Sequence, residues 1–270
     1  MPIYAIAELE IHYVDQGQGE PLLFLPDNIL AASAYKEEID HLAQRFRVIA
    51  MDYPGRGRSA RQDPYPDEHE YDLWGYWADL GCHLLQELGI EACHLVGSHG
   101  GALVALHVAG QQARQHDIRP LSAVCDSFLP EMDMRSLHRM LDRREHYYRR
   151  QSRNLAQQHG EDWRAVVDAD TAFVRRMADR GGYAVPVATL NGIACPTLLT
   201  GCLADPRTPG IAAQYARLAE RIPDCSMYLA SETGHPHIEY PWLKSNAALW
   251  RAQSDLFWEG RGHGSPTAGE

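Results

Sequence analysis

Short apolar runs recur along this chain between segments of helical pattern. They span Leu22 to Leu25, Arg47 to Asp52, Cys93 to Gly97 and Leu121 to Asp126, with helices expected near Tyr35 to Gln44, from about Tyr71 to Leu88 and over Gly100 to Gln112. A strand with one wet face alternates apolar and polar residues; these runs do not, so both of their faces must be covered. Strands separated by helices pair in parallel, because a parallel crossover needs about a helix of chain. The class that follows is α/β, with helices on both faces of the sheet.

With 270 residues and no Ser/Pro/Gly-rich linker, the chain reads as one core domain. The strand and helix rhythm stops at Pro130, gives way to long Arg-rich helical segments without a strand signal, and resumes at Pro196 to Thr200. This predicts a core formed by residues 1–129 and 191–258, a helical lid over 130–190, and a polar, Gly-rich tail at 259–270 that is disordered. The lid arginines, Arg135, Arg139, Arg143, Arg144, Arg149, Arg150 and Arg153, could meet an anionic substrate. At that spacing on a helix they are read instead as a solvated face.

A formal net charge of -11 repels phosphate backbones and anionic membrane surfaces, so neither nucleic acid nor membrane is an expected partner. No apolar run approaches the roughly 20 residues that span a bilayer, and the first residues lack a basic-then-apolar leader, which reads as a cytoplasmic protein. Six cysteines (Cys82, Cys93, Cys125, Cys195, Cys202 and Cys225) are scattered without a CxxC pair. They read as thiols in a reducing compartment, not as metal ligands.

The densest chemical signal is Leu-Val-Gly-Ser-His-Gly-Gly-Ala over Leu95 to Ala102, a strand end running into a Gly-rich helix start. In the GxSxG pattern a reactive side chain sits on a strained turn, and small residues two positions to either side let the backbone close around it. Placed without a gap, Gly97 and Gly101 are those glycines and His99 is the tip, which is the preferred register. Shifted by one residue, Ser98 is the tip, with Val96 where a small residue is wanted. A serine there implies an acyl-enzyme, with His235 removing its proton. A histidine implies general acid/base work on water or on a substrate C–H or O–H.

Four motifs in order resemble the α/β-hydrolase superfamily from about Glu10 to Trp258: the strand and turn of Leu23 to Asn28, the stretch from Arg47 to Ser59, the elbow at Gly97 to Gly101, and Gly234-His235 followed by Glu239 and Pro241. The resemblance implies His235 as the catalytic imidazole. Its orienting acid would be Asp205, after the strand where most members carry it, or Asp126, the position of a minority. It further implies an oxyanion hole from the backbone amides of Asn28 and of the residue after the tip, Gly100 if the tip is His99. Pro26-Asp27 departs from the usual His-Gly, and a carboxylate there opposes a developing oxyanion unless it points away. His235 and His237 form a His-x-His pair, but no third ligand accompanies them, so no metal or organic cofactor is expected.

The Pro-Asp pair and the Tyr-Pro-Gly turn are similar to zearalenone-type lactonases, and Ser-His-Gly-Gly resembles cofactor-independent ring-cleaving dioxygenases. The leading expectation is an enzyme that cleaves a small, mainly apolar ester or lactone beneath the lid. The alternatives are a non-hydrolytic oxygenase, lyase or isomerase using His99 and His235, and a ligand-binding protein with a degraded site. A homodimer is compatible with the sequence and not required by it.

Overall fold

A computed structural model describes residues 3–6, 9–61, 72–231 and 247–263. The chain opens with β1 (Ile3–Ile6), β2 (Leu9–Gln16) and β3 (Glu20–Leu25), followed by α1 (Lys36–Leu42), β4 (Phe46–Met51), α2 (Leu73–Glu87) and β5 (Ala92–Ser98). Next come α3 (Gly100–His107), α4 (Ala113–Gln115), β6 (Arg119–Asp126), β7 (Glu131–Asp133), α5 (Met134–His159) and α6 (Trp163–Asp179). The described elements end with β8 (Gly182–Ala184), α7 (Val187–Gly192), β9 (Thr197–Cys202), α8 (Ile211–Ala219), β10 (Cys225–Ala230) and α9 (Ala247–Glu259).

Eight strands form one sheet in the order β1-β2-β4-β3-β5-β6-β9-β10. From β4 to β10 every pairing is parallel, and β2 joins β4 antiparallel, with β1 outermost. The expected mostly parallel sheet is therefore what the chain forms. Its apolar runs alternate between two cores. Leu23, Leu25, Cys93 and Leu95 pack toward α2 and α3, while Leu22, Phe24, Val96 and Val124 pack toward α1 and α9. Five of the six cysteines are buried and all are free thiols; burial pushes the Cys93 thiol up to about 12.

Two expectations need correction. The segment 130–190 does hold strands, because β7 and β8 pair antiparallel and bring the two ends of the α5–α6 helix pair together. Three-residue strands are too short to leave a periodic signature. The tail expected from Glu259 starts later. Glu259 ends α9 and meets Arg45, Arg261 pairs with Asp224, and His263 reaches Glu20, so residues 259–263 lie on the core; residues 264–270 lie outside the described residues.

Candidate active site

The parallel strands β3, β5, β6 and β9 deliver their C-terminal ends to one edge of the sheet, where open α/β sheets bind ligands. At that edge β5 ends at Ser98 and α3 starts at Gly100, so His99 alone forms the turn. Its backbone is held at φ 51° and ψ -114°, a strained conformation for a side chain with a Cβ. The strain is held from both sides: the His99 amide donates to the Asp126 carbonyl (2.9 Å), and the His99 carbonyl accepts from Ala102 (3.0 Å). A Cβ on Gly97 would collide with the Gly101 carbonyl, and one on Gly101 with the Leu25 carbonyl, which accounts for both glycines.

His99 thus occupies the tip, half-buried and lining a cavity of about 470 Å³. Ser98 does not. It follows His94 and Val96 on the α1/α9 face of β5, fully buried on the side that holds Tyr35, and it lines no part of the cavity. This follows from strand parity, because one residue along a strand reverses the face.

The backbone amides of Asn28 and Gly100 converge on one acceptor. Asp27 Oδ1 accepts from Asn28 N at 2.7 Å and from Gly100 N at 3.2 Å. The carboxylate points into the amide pair rather than away from it. The loop that carries it is pinned by residues the sequence did not single out. Arg56 Nε donates to the Asn28 carbonyl (2.5 Å), Trp74 Nε1 to Asn28 Oδ1 (3.0 Å), and Tyr53 to the Pro26 carbonyl (3.1 Å). His159 Nε2 donates to the Ile29 carbonyl (2.8 Å), and its Nδ1 accepts from Gly57 N (2.9 Å). Burial pushes this histidine down to about 4, so its ring is neutral. Arg56 and Gly57 sit in the Gly-Arg-Gly-Arg-Ser turn that ends the Arg47 to Ser59 stretch; their long-range role leaves no local trace.

Both acid candidates are buried. Asp126, at the end of β6, accepts from Thr200 Oγ1 at 2.6 Å. Asp205, in the loop after β9, accepts from the Arg207 amide at 2.8 Å. Burial raises the Asp205 carboxyl, and the opposing pull on it comes first from the His99 charge, so this carboxylate and the tip imidazole act on one another. His235 and His237 lie outside the described residues, as do Glu239 and Pro241.

The rest of the cavity is walled by apolar side chains of the core and of α5 and α6, among them Leu103, Phe128, Leu137, Met140 and Val174. Arg139, Arg143, Arg144 and Arg207 also line it; of the α5 arginines among them, Arg139 and Arg143 are exposed, as a solvated face requires, and Arg144 is buried. Among the described residues two groups have metal-ligand spacing, Glu20/His94/His263 and Asp79/His83/His116. Neither lines this cavity. In the second, His116 is already hydrogen-bonded through both ring nitrogens, to Gln86 and Asp79.

Residues 22–252 match the model of the alpha/beta hydrolase family. The chain belongs to that family. A stretch of 103 residues is 32% identical to haloalkane dehalogenase 2 of Mycobacterium tuberculosis, covering 38% of this chain and 34% of that protein. The matched stretch is thus about a third of that relative. Among solved structures, the meta-cleavage product hydrolase from Pseudomonas fluorescens IP01 superposes with a TM-score of 0.70 at 18% identity, covering 97% of this chain and 98% of that one. The enol-lactonase from Burkholderia xenovorans LB400 gives 0.67 at 18% identity, covering 95% and 99%. At that identity the structural likeness carries the fold. This alpha/beta hydrolase is an enzyme of its family in which histidine occupies the elbow tip.

Proposed function

We propose that the protein hydrolyses a small, mainly apolar ester or lactone, and that His99 does so as a general base on water rather than through a serine acyl-enzyme. The observation that carries this is the elbow itself: an imidazole at the strained tip facing the cavity, with the neighbouring hydroxyl on the far side of the sheet. An imidazole can take a proton from water as a general base. Water held between His99 and the substrate carbonyl loses its proton to the ring, and the Asp205 carboxylate stabilises the resulting imidazolium. The same proton then passes to the leaving alkoxide. The α5–α6 pair serves as the lid that keeps bulk water out, and the enol-lactonase and meta-cleavage product hydrolase among the structural neighbours make lactones and meta-cleavage products the first substrates to try.

One observation favours a second reading. With Asp27 seated on the Asn28 and Gly100 amides, a substrate oxyanion has no place until that carboxylate rotates away. If it stays, Asp27 and His99 form a proton-transfer pair suited to lyase, isomerase or oxygenase chemistry.

The test is turnover of aryl esters and lactones in water enriched in the heavy oxygen isotope, with wild type, His99→Ala, His235→Ala and Ser98→Ala. The hydrolytic reading expects one heavy oxygen in the product acid, a loss of about 10²–10⁴-fold in His99→Ala, near-wild-type turnover in Ser98→Ala, and no adduct with a serine-reactive fluorophosphonate. A Ser98 adduct, or full activity in His99→Ala, overturns it.

A further inference from the structure

Away from the elbow, on the α1/α9 face of the sheet, two histidines and a glutamate meet. Glu20 opens β3 two residues before Leu22 and therefore shares its face, and Leu22 pairs with His94 of the neighbouring β5. His94 stands about 13 Å before Ser98 along that strand. The third member, His263, follows α9, whose Trp258 packs on the same face as Leu22. One ligand atom from each lies within 4.8 Å of the other two. Glu20 Oε2 is 3.5 Å from His94 Nε2 and 3.3 Å from His263 Nδ1.

His94 distinguishes this group from a surface ion pair. Its side chain is fully buried, and its Nε2 faces Glu20 without a hydrogen bond among the described residues. The ring is oriented from behind, with Nδ1 2.8 Å from Ser122 Oγ, which itself accepts from Trp258 Nε1 at 3.0 Å. When Nδ1–H donates to that hydroxyl, Nε2 keeps a lone pair aimed at the cluster, the tautomer that metal binding needs. His263 is fixed through its backbone: its amide donates to the Trp258 carbonyl (3.0 Å), and its carbonyl accepts from Arg45 (3.5 Å). A hydrogen bond between Glu20 and His263 accounts for those two side chains and leaves the buried Nε2 unexplained.

We propose that Glu20, His94 and His263 hold one divalent ion of the zinc type, which fastens the chain beyond α9 to the sheet. Tetrahedral bonds of about 2.0–2.1 Å to imidazole nitrogen and carboxylate oxygen set the donors about 3.3–3.4 Å apart. Two of the three edges already stand near that length, and the third, no longer than 4.8 Å, closes by rotation of the part-exposed His263 side chain. Two nitrogens and one oxygen suit zinc better than magnesium or calcium, which take oxygen ligands. Glu20 and His263 both reach solvent, so the ion has a way in and water completes the tetrahedron. Residues 20, 94 and 263 are too far apart in the chain to form a motif, which is why no metal was expected from sequence.

The test is calorimetric titration of the chelator-treated full chain with zinc chloride, together with thermal melts. The wild type is expected to bind one zinc ion per chain. A zinc concentration about a hundredfold above Kd should raise Tm by about 5–10 °C, and magnesium should leave it unchanged. Because His94 lies in the core, the variants are Glu20→Gln and His263→Ala, whose side chains are part-exposed. Each is expected to weaken binding about tenfold to a hundredfold or more. Cobalt(II) in place of zinc reports the geometry, through the intense visible absorption of a tetrahedral ion, lost in both variants. His83→Ala, in the Asp79/His83/His116 group, and the double variant His235→Ala with His237→Ala are expected to keep wild-type affinity. No zinc binding by the wild type, or wild-type affinity in Glu20→Gln and His263→Ala, overturns the site. Loss of binding in His83→Ala or in the double variant places the ion elsewhere and overturns it as well.

Discussion

Asp27 decides more chemistry than any other single residue here. Its carboxylate accepts both amides that would receive an oxyanion, so its removal separates the two readings of the site. If the enzyme is hydrolytic, Asp27→Ala frees the amide pair and raises ester turnover by about tenfold or more, since one oxyanion donor is worth about 10²–10³ in rate. If Asp27 is a proton-transfer partner of His99, the same variant loses about 10²-fold or more on the true substrate. Steady-state kinetics on one purified variant distinguishes the two. His159 gives a second residue-scale prediction. Burial lowers it from an ordinary 6.5 to about 4, so the folded state holds the neutral ring and binds fewer protons than the unfolded chain. Its contribution is present above about 6.5 and is lost as pH falls toward 4, to a total of about 3 kcal/mol. His94, also buried and lowered to about 4, adds in the same direction. Urea midpoints between those limits should fall steeply in the wild type and less steeply in His159→Gln; equal slopes would remove the imidazole from the account.

At the scale of elements, the β5–α3 turn combines a strained tip with two glycines that no larger residue can replace. A methyl at position 97 or 101 meets a backbone carbonyl, which cannot move as a side chain could. Gly97→Ala or Gly101→Ala is expected to cost about 1–3 kcal/mol or more and to disturb His99, so thermal melts and activity should fall together. Gly89→Ala is the control, with open space around the added methyl and only its positive φ to oppose it. The elbow's place and its glycines were legible in sequence because they are contiguous. The direction of Ser98 was not, because it depends on the parity of β5 against the sheet. The same holds for α5. Its amphipathic pattern marked a helix, but only its seating over the sheet showed that Arg144 is buried while Arg149 faces out.

For the molecule as a whole, a buried chain of charges ties the helical pair to the core. Arg56, from the turn after β4, and Arg144, from α5, meet on Asp170 of α6, with Arg56 also holding the Asn28 carbonyl. Asp170→Asn leaves two buried guanidinium groups without that charge. The expected cost is about 3–5 kcal/mol, seen as a fall in Tm of roughly 6–15 °C with faster tryptic cutting in α5; an unchanged Tm would show that the pair is held by apolar contacts alone. This chain of contacts links α5 and α6 to the Asn28 carbonyl and the turn after β4. What the sequence determined alone is the α/β class, the stretches that become sheet and the tight turn after β5. Each of these follows from neighbours in the chain: unbroken apolar runs demand two covered faces, and glycines two positions either side of one residue permit one tight turn. Tertiary structure alone decided that His99 and not Ser98 faces the cavity, that Asp27 turns onto the Asn28 and Gly100 amides, and that Arg144 is buried on Asp170. Those depend on where side chains from distant segments point once the sheet has set its two faces, and contiguous residues carry no record of that.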